Sequence, residues 1–152
     1  MNKIQQNTKL FSKAITELFG SSLDHFSHNP AFALFLAKAY FEQKKAALLR
    51  ENIAAQGISA PALMIASVTK TCNLSCAGCY AKAHERVLAP ELTTTEWKSV
   101  FSQAQKLGIS LILIAGGEPF SREDLLDILH DFPHIIFPIF TNGLLLNDAK
   151  IS

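Results

Sequence analysis

Leu63-Met64-Ile65-Ala66-Ser67-Val68-Thr69-Lys70-Thr71-Cys72-Asn73-Leu74-Ser75-Cys76-Ala77-Gly78-Cys79 is a short apolar run that breaks into a loop carrying every cysteine of the chain. Leu63 to Val68 reads as a buried β-strand, so the three thiols sit at a strand exit. The spacing C-x3-C-x2-C delivers three thiolates from one tight loop, whereas a closed tetrahedral zinc site or an ordinary ferredoxin cluster takes four protein ligands. The loop therefore points to a metal cluster with one coordination position left open. Two other readings use the same residues: metal-free buried cysteines, and a zinc site completed by His84.

Outward from this loop the chain changes character near Pro61. Before it, Thr8 to Phe19 and Pro30 to Ile53 carry apolar residues at helical spacing, with the breakers Gly20, Pro30 and Gly57 between and after them. Phe32, Phe35, Leu36, Ala39 and Tyr40 form the apolar stripe of the second helix and are expected in the core. After Pro61, short apolar runs alternate with amphipathic stretches, the pattern of βα units around a parallel sheet. The strands expected are Leu63–Val68, Ser110–Ala115 and Ile135–Phe140, each covered on both faces.

The intervening helices carry their own start and stop signals. Thr93 and Glu96 fit a capping box and Gly108 a left-handed stop, which predicts a helix over Thr94 to Leu107 with Trp97 and Phe101 against the sheet. Ser121 and Asp124 suggest a second box and a helix ending near Asp131, before Pro133. Asn147 reads as the cap of a third helix. The expected organisation is a helical extension over residues 1–60 and an α/β part over 61–152. Three βα units make about half a barrel, so the chain is expected to be the N-terminal piece of a longer enzyme.

Composition narrows the class. The 152 residues are 49% hydrophobic and 18% charged, with a formal net charge of +1, which suits a globular protein and gives no basic footprint for nucleic acid. The most apolar window, Ala31 to Phe41, is about half the ~20 residues that cross a bilayer and includes Lys38, with Lys44 and Lys45 close behind. No membrane span is expected. The N-terminus lacks the pattern of a secretory signal, and cysteines confined to one loop suit a reducing, cytoplasmic setting.

The strands end in Thr69, Ala115 and Phe140, and the unusual residues follow directly: the cysteine loop, Gly116-Gly117-Glu118-Pro119, and Thr141-Asn142-Gly143. Parallel βα folds bind ligands at this carboxyl edge. The two glycines would let the backbone approach a ligand closely. Taken together, the cysteine loop ending in Cys79-Tyr80, the Gly-Gly-Glu-Pro loop and Thr-Asn-Gly resemble the radical S-adenosylmethionine (SAM) superfamily over about Leu63 to Asn147.

That resemblance implies a partial parallel (β/α)6 barrel preceded here by helices. It implies a 4Fe–4S cluster on Cys72, Cys76 and Cys79, with the fourth iron chelated by the amino and carboxylate groups of SAM. Reductive cleavage of SAM would then yield a 5′-deoxyadenosyl radical that takes hydrogen from a substrate the sequence does not identify. An electron donor such as ferredoxin or flavodoxin is implied as a partner. Glu118 would accept from the ammonium of SAM, while Gly116, Gly117, Pro119, Thr141 and Asn142 would border it. In the family the position of Gly78 is frequently aromatic and its backbone meets the adenine; here it is glycine, with Tyr80 directly after the last cysteine. Lys70, Lys82, His84 and Arg86 flank the loop and are read as solvated.

Overall fold

The computed structural model describes residues 6, 9–10, 12–17, 30–83 and 90–151. In chain order they form helix α1 (Pro30–Ala55), strand β1 (Leu63–Ser67), helix α2 (Tyr80–Ala83), helix α3 (Thr94–Lys106) and strand β2 (Leu111–Ala115). A short 3-10 helix (Pro119–Ser121), helix α4 (Leu125–His130) and helix α5 (Asp148–Ile151) follow. Residues 9–10 and 12–17 are also helical, inside the stretch expected to be a helix from Thr8 to Phe19; the ends of that stretch and Gly20 lie outside the described residues.

β1 and β2 pair in a parallel two-stranded sheet. The third expected strand, Ile135–Phe140, is instead two parallel bridges, Leu111 to Ile136 and Ile114 to Ile139. Proline explains the break. Ile136 N–H donates to the Ser110 carbonyl and Phe140 N–H to that of Ile114, both at 2.9 Å. The rung between them belongs to residue 138, and Pro138 has no N–H to give. β1 also departs from expectation: Ile65 is 63% exposed, so its two faces are not both covered.

The chain divides into two compact units. The first comprises Met1–Met64, Gln103–Leu111 and His134–Ile136. Here α1 buries Leu36, Ala39, Gln43 and Arg50, which lie on one face of a 3.6-residue helix. The expected stripe is thus corrected: Phe32 and Phe35, stacked on each other, are 38% and 49% exposed and Tyr40 is half-buried, whereas Leu36 and Ala39 are buried. The first turns of α1 are apolar on several sides, so spacing alone does not choose the face. Two polar residues do. Gln43 Nε2 donates to the Ser110 carbonyl at 3.2 Å and Gln43 Oε1 accepts from the Ser110 hydroxyl at 2.8 Å. Arg50 donates to the Gly108 carbonyl, and to Ser12 Oγ at 2.7 Å. Buried amides and guanidinium groups are tolerated only with such partners, so these bonds fix the rotation of α1.

The second unit comprises Ile65–Ser102, Ile112–Pro133 and Phe137–Ser152. Its centre is Phe101, with no exposed surface and ring centroids of Trp97, Phe132 and Phe137 at 5.5, 5.8 and 5.3 Å. Burial of such a side chain contributes roughly 1.5–3 kcal/mol. Ile112, Ile114, Leu125 and Ile128 complete the core. The helix expected from Ser121 starts later, at Leu125, because neither box residue caps it. Ser121 Oγ donates to the Glu118 carbonyl at 2.7 Å, and Asp124 makes no side-chain cap bond but pairs with Arg122 at 2.8 Å.

Candidate cluster and cofactor site

The site lies wholly in the second unit, where the segments leaving β1 and β2 run side by side beyond the strands. Val68 N–H donates to the Ala115 carbonyl, Gly117 N–H to Thr69 and Glu118 N–H to Thr71, at 2.9, 2.8 and 2.8 Å. The root of the cysteine loop is thereby zipped to the Gly-Gly-Glu-Pro loop. The approach explains both glycines. A Cβ on Gly116, whose φ is 140°, would strike the Thr69 carbonyl, and one on Gly117 would strike the carbonyls of Lys70 and Thr71. The close neighbour of the glycine pair is therefore the Thr69–Thr71 backbone, where the sequence suggested a ligand.

Two further residues brace the root. Glu91 Oε1 accepts from the Thr69 hydroxyl at 3.0 Å and from Lys70 N–H at 2.6 Å. Ser121 Oγ reaches the Thr71 carbonyl at 3.1 Å. Neither was expected from sequence. Glu91 carries no local signal, and Ser121 has the spacing of a helix cap.

Beyond the root, Cys72 and Cys76 are exposed and Cys79 half-buried, and no disulfide joins them. Leu74 N–H points at Cys72 Sγ, 3.4 Å away. Gly78 turns the loop at φ 76°. Tyr80 then opens α2 and returns to the glycine loop, its hydroxyl donating to the Gly116 carbonyl and accepting from Gly116 N–H, both at 3.3 Å. His84 and Arg86 lie outside the described residues.

Glu118 links the second loop to the third. It has no exposed surface. Its Oε1 accepts from Phe120 N–H at 3.0 Å and from the Thr141 hydroxyl at 2.7 Å, and its Oε2 accepts from Asn142 N–H at 2.8 Å. Burial pushes this carboxyl up, but the bonds from Asn142, Phe120 and Thr141 and the charge of Lys150 outweigh it and hold it below the ordinary value. Pro119, buried, opens the 3-10 helix. Thr141 Oγ1 accepts from Gly143 N–H and Asn142 Oδ1 from Leu144 N–H, each at 3.0 Å. Asn142 Nδ2 donates to Asn73 Oδ1 at 2.9 Å, which returns the third loop to the first. The three motifs separated in sequence are thus joined in space by direct bonds.

Residues 66–152, which hold all of these groups, match the family model of the Radical SAM superfamily. The chain belongs to that superfamily. Among curated proteins it is similar to the PqqA peptide cyclase of Gluconobacter oxydans, 33% identical over 96 residues, covering 62% of this chain and 27% of the cyclase. It is also similar to the PqqA peptide cyclase of Rhizobium meliloti, 32% identical over 94 residues, covering 60% and 25%. The chain thus spans about a quarter of the length of these relatives. Among solved structures, Streptococcus suis SuiB bound to the precursor peptide SuiA superposes with a TM-score of 0.54 at 20% identity, covering 82% of this chain and 27% of SuiB. That likeness supports the mixed α/β fold.

Radical SAM proteins generally bind a 4Fe–4S cluster and SAM, and the residues here fit the cluster. Thiolate is the ligand iron–sulfur centres take, and these thiols stand on an accessible loop with a fixed root. Among the described residues no three His, Cys, Asp or Glu side chains converge as they would on a single ion. Also among the described residues, no helix is long and apolar enough to cross a membrane.

Proposed function

We propose that this chain carries the cluster- and SAM-binding part of a radical SAM enzyme that modifies a peptide. The observation that supports it most is the zipping of the C-x3-C-x2-C root onto the Gly-Gly-Glu-Pro loop, which brings thiol ligands and polar rim residues to one edge of the sheet. Cys72, Cys76 and Cys79 would hold three irons and leave the fourth for SAM. With both bound, this part of the chain would provide reductive cleavage of the sulfonium and, from it, hydrogen abstraction from substrate.

The chain's own residues orient and enclose. Gly116, Gly117, Thr141 and Asn142 would border SAM, with Gly78 and Tyr80 on the adenine side. Glu118, expected to accept from the ammonium of SAM, has no exposed surface and spends its carboxylate on three internal donors, so here it would hold the Thr141-Asn142 turn in place beside SAM. A peptide is the substrate class suggested by relatives named for peptide cyclisation and by the precursor peptide in SuiB. In this reading β1, β2 and the segment bridged through Ile136 and Ile139 are the first strands of a partial (β/α)6 barrel. A ferredoxin or flavodoxin would deliver the electron in the cytoplasm.

Anaerobic reconstitution with iron and sulfide tests the proposal. It should give a broad absorbance near ~400 nm and about four irons per chain, and added reductant and SAM should give 5′-deoxyadenosine, abolished in Cys76→Ala. A colourless chain with one tightly held zinc would overturn it. SAM bound without cleavage would instead indicate a binding module.

A further inference from the structure

The thiols are held by a loop whose residues from Cys72 to Ala77 are all exposed, so what fixes its shape matters. Its root is zipped at Thr69–Thr71 and its far end is tied through the Tyr80 hydroxyl to Gly116. Between these, directly after the first thiol, Asn73 Oδ1 takes a hydrogen bond from Asn142 Nδ2 at 2.9 Å across 69 positions of sequence.

The donor in this pair is not interchangeable with the acceptor. Leu144 N–H donates to Asn142 Oδ1 at 3.0 Å, which fixes the amide orientation and turns Nδ2 towards Asn73. Asn142 is itself anchored, since its N–H donates to Glu118 Oε2 at 2.8 Å and Glu118 has no exposed surface. A chain of bonds therefore runs from a buried carboxylate, through the backbone and side chain of Asn142, to the residue beside Cys72.

We propose that Asn73 and Asn142 are positioning residues that form a latch, setting the cysteine loop against the Thr141-Asn142 turn with Glu118 as its fixed end. The inference rests on the radical SAM reading for its purpose, though the latch belongs to the protein itself. The turn that would border SAM and the loop that would hold iron share one hydrogen bond. Order in either is then order in both, and SAM should slow the loss of iron through the same bond.

The test compares wild type with Asn73→Ala, Asn142→Ala and the double variant. In the cluster-free chain, amide exchange at Leu74 should quicken about five- to tenfold in each single variant, as expected for loss of one hydrogen bond, and no further in the double. After reconstitution, loss of iron to a ferrous chelator should quicken by a similar factor with the same non-additivity, and SAM should protect the variants less than wild type. Asn73→Asp keeps the acceptor that Asn142 Nδ2 needs, so in the cluster-free chain Leu74 exchange should stay within about twofold of wild type.

Unchanged exchange in the single variants would overturn the latch, as would additive losses in the double or a fall in thermal midpoint that accounts for the effect. Wild type that takes no cluster would instead overturn the proposed function, leaving Leu74 exchange in the cluster-free chain to decide the latch by itself.

Discussion

Glu118 is a carboxylate with no exposed surface that nevertheless stays charged, because three donors converge on it. Its ordinary value is 4.5 and its value in the fold is lower, so the native state binds the proton less readily than the unfolded chain. The sign follows: its stabilising contribution is complete above about pH 4.5 and is lost as pH falls through the lower folded value. Urea midpoints measured from pH 6 down to pH 3 should therefore fall more steeply in wild type than in Glu118→Gln. At neutral pH the same substitution should cost about 1–3 kcal/mol, since it sets an amide NH2 against Asn142 N–H. Equal slopes would show that the carboxylate is not the group titrating. At this scale the site was legible wherever chemistry is local: three thiols in eight positions, a glycine pair, one acid. It was not legible for Asn73, Glu91 or the second partner of Ser121, whose bonds span 69, 21 and 50 positions. Nothing in a neighbouring sequence window announces such a partner.

Helix α3 shows local signals and tertiary structure in agreement. Thr93 N–H donates to Glu96 Oε2 at 2.7 Å, and Glu96 N–H donates back to Thr93 Oγ1 at 3.3 Å, the reciprocal box expected from the sequence. At the other end Gly108, at φ 75°, lets Ile109 N–H reach the Ala104 carbonyl and Gly108 N–H that of Gln105, at 2.9 and 3.0 Å, a Schellman stop. Thr93→Ala should lower unfolding free energy by about 0.5–2 kcal/mol, read from denaturant midpoints, with the slope of the transition unchanged. A change below a few tenths would mean that the buried Trp97 and Phe101, and not the cap, set where the helix begins. Other elements depart from their sequence signals for physical reasons of the same kind. Ser121 and Asp124 have the spacing of a cap but spend their side chains on Glu118 and Arg122. Pro138 removes one rung from an otherwise apolar strand, and the apolar start of α1 leaves its rotation to Gln43 and Arg50. Spacing identifies an element; competing partners decide its ends and its face.

For the molecule as a whole, two quantities act together: a net charge of only +1 and apolar side chains left in water. Leu34, Phe41 and Leu48 recur at seven-residue spacing on one face of α1 and are 71%, 61% and 62% exposed. Lys38 and Lys45 lie between them on the same face. Exposed apolar side chains on one face favour association, and a molecule near zero net charge has little repulsion to oppose it. Self-association should therefore be strongest near pH 7.8, the sequence pI, where the last net repulsion vanishes. Sulfate should strengthen it, since excluded salts favour apolar burial, whereas a charge-driven contact would weaken as salt screens it. Replacing Leu34, Phe41 and Leu48 together by Gln should abolish the association in sedimentation experiments. Each exposed position should cost no more than about 0.5 kcal/mol of stability, because none of the three lies in a core. If the triple variant associates as wild type does, the contact lies elsewhere, and the exposed Ile65 of β1 and Phe140 and Leu144 in the segments flanking the Thr-Asn-Gly turn are the next apolar groups to replace.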